Sequence, residues 1–247
     1  MRADLGVGLD FVLDDGWSVL RPSRPGYGAT PLAAGPDAAA FCDRVASLCR
    51  SLGFRELCAF GISAGGRTAL TLAARHPDLV RGVVLESSIS FAPWPGQPQR
   101  YGASLVFGAG VERVVWAGLR GLFLVAPAGM LRVMMGSLSN LPSARVVAGL
   151  SASDRTALVS VFRRMRSGRG FANDLRPVAD VSGDVGQPVL IVASRHDGAV
   201  SPEHSGRLAA QLADARLVMV DAESHLLWFG PHADQARAAV HEFLDRL

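Results

Sequence analysis

Apolar residues in this chain fall into two kinds of pattern. Short unbroken runs, "WSVL" from Trp17, "LCAF" from Leu57, "GVVL" from Gly82, "VLIVA" from Val189 and "LVMV" from Leu217, read as strands buried on both faces. Between them apolar positions recur every three or four residues. Phe41, Val45, Leu48 and Leu52 share one face of a helix expected over 36–52, with Pro36 and Asp37 suited to its first turn and Gly53 to its stop. Further helices are expected over 66–75, ended by Pro77, and over 202–212 and 231–247. Strands that alternate with helices imply an α/β fold, a mostly parallel sheet with helices on both faces.

From about residue 91 to 176 the alternation stops. This block is helical in composition, interrupted by Gly108, Gly110, Gly118, Gly121, Pro127, Gly129 and Pro142, and it contains a cleaner helix over 153–167. There Leu158, Phe162 and Met165 share a face, while Arg163, Arg164 and Arg166 crowd the last turn, where they complement the helix dipole. The expected organisation is a core of residues 1–90 and 177–247 with a helical cap, 91–176, inserted between strands. Trp94, Phe107, Trp116, Phe123 and Leu124 give that cap apolar weight, either to pack it onto the core or to receive an apolar acyl or alcohol group.

Composition changes this picture little. With 247 residues, 49% of them hydrophobic, the chain suits one large soluble domain. The net charge of +3 includes no run of like charges, so no nucleic-acid partner is expected; all 25 basic residues are arginine, a bias that fits a GC-rich bacterial genome. Apolar runs such as 121–131 fall far short of the roughly 20 residues of a membrane span. The N-terminus lacks a secretory layout, and Cys42, Cys49 and Cys58 read as small core hydrophobes rather than as a metal or redox site, which together imply a cytoplasmic protein. No cofactor or metal is called for, the expected partner is a small-molecule substrate, and a homo-oligomer stays open.

Candidate chemistry begins at "FGISAGG", residues 60–66. A bare G-x-S-x-G arises by chance in roughly one chain in four of this composition, so its placement decides. Ser63 falls between an expected strand and an expected helix, the setting of a nucleophile elbow, where so sharp a turn brings Gly61 and Gly65 close to each other's backbone and only the smallest side chains fit. The N–H of Ala64, at the helix start, faces the place where charge develops on a substrate oxygen. A serine hydroxyl needs a base and an orienting carboxylate. "SRHDGAV" places Asp197 four residues past its strand, and "DAESHLLWFG" places His225 five past the next.

These stretches, with "WSVLRPSRPGYGAT" and "FGISAGGRTALTLAARHPDLVRGVVLESS", resemble an α/β-hydrolase-fold serine hydrolase over about residues 11–90 and 187–247. The resemblance implies Ser63 as nucleophile, His225 as base, Asp197 as acid and Ala64 as oxyanion donor, with Glu86 an alternative acid. Asp221 stands too near His225 to orient it, His196 reads as a loop residue, and His76, His204, His232 and His241 read as surface groups. The resemblance implies cleavage of a carboxylic ester, or an amide, of a small, partly apolar substrate. Carbon–carbon bond hydrolysis and proline iminopeptidase activity use the same triad.

One departure accompanies the resemblance. The family's earlier strands, and the His-Gly loop that donates the second oxyanion N–H, are missing from "MRADLGVGLDFVLDDG", which resembles the helix after that loop. The expectation is a natural start upstream of Met1; a non-catalytic binding member of the fold is the alternative.

Overall fold

A computed structural model describes residues 12–13, 16–35, 37–94, 111–166 and 169–247, the side chains of 111–113 excepted. Helix α1 (Ala38–Ser51) precedes strand β1 (Leu57–Ile62), helix α2 (Gly65–Arg75) and strand β2 (Val80–Glu86). Among the described residues the helices α3 (Val111–Val125), α4 (Pro127–Leu138), α5 (Ser143–Gly149), α6 (Ala152–Arg164) and α7 (Gly170–Asp174) follow. Strand β3 (Val189–Ser194), helix α8 (Pro202–Gln211), strand β4 (Ala215–Val220) and helix α9 (Ala233–Leu244) complete the chain. The expected start of α1 is sharpened by Asp37, whose carboxylate accepts the Ala40 N–H at 2.7 Å and caps the helix.

The strands pair in parallel in the order β1-β2-β3-β4. Alternation along them divides the core. Val83, Leu85, Val189 and Ile191 point toward α1, α2 and α8, while Val84, Leu190 and Val192 point toward α9. Helices therefore cover both faces, as the buried runs require. Cys42 and Cys49 are buried in the first of these layers, and burial pushes the Cys42 thiol up to about 12. Cys58 departs from its expected full burial, lying half-buried on β1.

"WSVL" departs further: residues 17–20 form no strand. Between them and β1 runs a cavity of about 590 Å³, with Trp17, Val19 and Leu20 on one wall and Cys58, Phe60 and Leu72 among its other lining residues. A strand exists through its ladder, which needs a neighbour at about 4.8 Å, and the cavity removes that neighbour. Among the described residues β1 is thus an edge strand, and Trp17 and Leu20 stay 44% and 39% exposed. Of the N-terminal stretch, Val12 and Leu13 are described, in helical conformation, and Val12 is buried against the α9 layer.

Helices α3 to α7 form an insertion between β2 and β3 with its own apolar centre. Phe123, Met130, Leu131, Met135, Leu158 and Phe162 pack together there, with Phe123 and Phe162 stacked at 5.8 Å. Trp116 is buried, whereas Leu124 is 63% exposed, and Phe107 lies outside the described residues. Arg163 and Arg164 occupy the last turn of α6 as expected.

Candidate active site

The register aligns Ile62, Glu86 and Val192, so the C-terminal ends of the strands open onto one edge of the sheet. Ser63 is the first residue past β1, at φ +53°, a left-handed conformation uncommon for a residue with a side chain. Its N–H bonds Glu86 O at 3.0 Å, and its carbonyl accepts from Gly66 N and Ile89 N, both at 3.2 Å. These bonds fix the turn. A Cβ on Gly61 would lie 2.5 Å from Gly66 Cα, and one on Gly66 would lie 1.6 Å from Ser88 Oγ. The close pair is thus Gly61 with Gly66. Gly65, expected to be crowded, has open space on its Cβ side and lines the cavity along β1. Ala64 is the N-cap of α2, and among the described residues its N–H has no acceptor.

Asp197 and His225 are brought together. His225 Nδ1 and Asp197 Oδ2 are 2.7 Å apart, with side chains 9% and 3% exposed. The other carboxylate oxygen accepts Ala199 N and Val200 N, each at 2.8 Å, so the loop's own backbone holds the acid. Ser87, a second residue at positive φ (+46°), donates its hydroxyl to His225 O at 2.8 Å. The Ser63 turn hangs on Glu86 and the His225 loop on Ser87, so both converge on the end of β2.

Glu86 is not brought to His225. Its Oε1 accepts the Trp228 indole N–H at 3.0 Å, and burial pushes the carboxyl up to about 7. Asp221 pairs with Gln235 at the surface. His196 bonds Asn140, and His76 pairs with Asp43 at 3.0 Å. His204 corrects its expected place at the surface: it is buried, with Nδ1 3.1 Å from Ser90 N and 2.9 Å from Ser90 Oγ, and burial lowers its pKa.

Sequence reasoning missed a charged cluster beside the elbow. Arg24 grips Asp174 through two bonds of 2.6 and 2.8 Å and donates to Ala64 O at 3.3 Å, and Tyr27 donates its hydroxyl to Asp174 at 2.6 Å. Burial keeps the Asp174 carboxyl above its usual range despite Arg24, and the same burial pushes the Tyr27 phenol far up, so it remains a donor. The "RPGYG" loop carried a signal, but its partner stands 150 residues away. Trp94, with its indole N–H on Ala199 O at 2.8 Å, packs beside Ala64, Ile89 and Val200 at the mouth of the site.

Known proteins resemble this chain in sequence and in fold. A family model described as alpha/beta hydrolase fold matches residues 8–110, and one described as TAP-like protein matches 172–246. An uncharacterized hydrolase, YcgS, from Bacillus subtilis is 30% identical over 244 residues, covering 96% of this chain and 86% of that protein. A pimeloyl-(acyl-carrier protein) methyl ester esterase from Aromatoleum aromaticum is 32% identical over 220 residues, 86% of this chain and 82% of that one. An alpha/beta hydrolase fold protein from Nakamurella multipartita superposes with a TM-score of 0.78 at 25% identity, covering 96% of this chain and 85% of that chain.

Proposed function

The chain belongs to the alpha/beta hydrolase fold family and is a hydrolase, and on that premise we propose that it cleaves a carboxylic ester through an acyl-enzyme on Ser63. The observation that carries this reading is the buried 2.7 Å contact between Asp197 and His225, on loops that meet the strained Ser63 turn at the end of β2. Ser63 Oγ attacks the carbonyl carbon as His225 Nε2 takes its proton. Charge on the substrate oxygen faces the Ala64 N–H, and Asp197 stabilises the imidazolium. Collapse of the tetrahedral intermediate breaks the bond to the alkoxy oxygen, which leaves with the proton from His225. Water, activated by the same histidine, then releases the acid.

The helical insertion acts as a cap, with Trp94 on its core side presenting an apolar surface to the substrate. The methyl ester esterase among the relatives supports an ester over an amide. Turnover of p-nitrophenyl esters of graded acyl length tests the reading. The wild type is expected to hydrolyse the shorter members, and Ser63→Ala to lose at least about 1000-fold in kcat/KM. Ester turnover no faster than that of the Ser63→Ala variant would refute it.

A further inference from the structure

The chain that leaves α4 does not simply return to the insertion. Leu138 O accepts two backbone N–H groups, Gly198 at 3.1 Å and His225 at 2.7 Å. Ser139 is extended, at φ −137° and ψ 146°, and forms an antiparallel bridge with Asp197. Its hydroxyl donates to Glu223 O at 2.5 Å and accepts from Leu141 N at 3.0 Å. Asn140 donates its backbone N–H to His196 O at 3.1 Å and its side-chain amide to Arg195 O at 3.0 Å.

Three consecutive residues of the insertion thus grip both the 195–198 loop and the 223–225 loop. The approach is close enough that a Cβ on Gly198 would lie 2.6–2.8 Å from the Ser139 backbone. Ser139 is buried, and its hydroxyl is fully engaged as one donor and one acceptor, which leaves it no chemistry of its own. What it can do is hold two loops at a fixed separation. The separation matters because a misplacement of about 1 Å in a catalytic constellation can cost about 100-fold in rate.

We propose that residues 138–140 are a strap through which the insertion sets the spacing of Asp197 and His225, with Ser139 as its positioning residue. The proposal rests on the acyl-enzyme reading of Ser63, Asp197 and His225. It makes the insertion part of the catalytic machinery, so loosening it at this point slows chemistry without weakening substrate binding.

Labelling of Ser63 by a fluorophosphonate reads this directly, since its rate depends on how well the base is held. Ser139→Ala, which leaves Glu223 O without its donor, is expected to slow labelling about tenfold or more, whereas Ser139→Thr, which keeps the hydroxyl, stays within about threefold of wild type. With an ester substrate the same loss should appear in kcat and leave KM nearly unchanged. Val146→Ala, which removes buried side chain from the insertion's own centre, provides the stability control and should label at nearly the wild-type rate. If Ser139→Ala does not fold, Asn140→Ala removes the side-chain bonds to Arg195 O and His196 Nδ1, keeps the backbone bonds of the strap and should slow labelling about threefold. A wild-type rate in Ser139→Ala or, in its place, Asn140→Ala, or an equal slowing in Val146→Ala, would overturn the strap. No labelling of the wild type would overturn the acyl-enzyme reading and the strap together.

Discussion

Glu86 ends β2 with one carboxyl oxygen on the Trp228 indole and the other without a partner among the described residues. Burial raises its pKa from an ordinary 4.5 to about 7, so the folded chain holds this proton more tightly than the unfolded chain. The stability it contributes is therefore fully present below about pH 4.5 and lost as pH rises through about 7. Glu86→Gln, which cannot ionise, should unfold at a higher temperature than wild type at pH 8, by on the order of 3 kcal/mol at most, with little difference near pH 4.5. An equal gap at both pH values would contradict this account. Asp197, Glu86 and Asp221 all follow strands in the sequence, so position alone left the acid open. Only Asp197 reaches the imidazole, because the 195–198 loop folds toward His225 while Glu86 turns into the core. Ser139 could not have been found in the same way. Its hydroxyl donates to a carbonyl 84 positions away, and a partner so distant leaves no local pattern in the sequence.

At the scale of elements, the helices and four of the five expected strands were legible, because buried apolar runs and amphipathic periods report directly on which faces meet the core. "WSVL" shows the limit of that signal. Its apolar run satisfies the local pattern, but a strand is a property of a pair, and the cavity beside β1 leaves it unpaired. The elbow teaches the same lesson in miniature. Spacing singled out Gly61 and Gly65, yet the tight approach is between Gly61 and Gly66, where strand meets helix. Gly61→Ala drives a Cβ into helix backbone and toward Ala69, so it should cost about 1–3 kcal/mol in urea unfolding and slow fluorophosphonate labelling as the elbow shifts. Stability within about 0.5 kcal/mol of wild type would mean that the turn relaxes freely, against the contacts described.

At the scale of the whole molecule, the described strands form a parallel sheet that brings four strand ends to one edge, and the insertion is fastened beside that edge at its middle and at its far end. Arg24 and Tyr27 hold Asp174 at the end of α7, and the 138–140 stretch holds the 195–198 and 223–225 loops. The α/β fold and the pairing of Asp197 with His225 could be read from the chain because each of their loops follows its own strand. The fastenings between core and insertion could not, since they join residues as far apart as 150 positions. The central claim is that Ser63 is the nucleophile, activated by His225. Its most direct test is peptide mapping by mass spectrometry after fluorophosphonate treatment of the wild type, Ser63→Ala and His225→Ala. The account predicts a single adduct on Ser63 in the wild type and none in either variant. An adduct on another serine, or undiminished modification of Ser63 in His225→Ala, would contradict it.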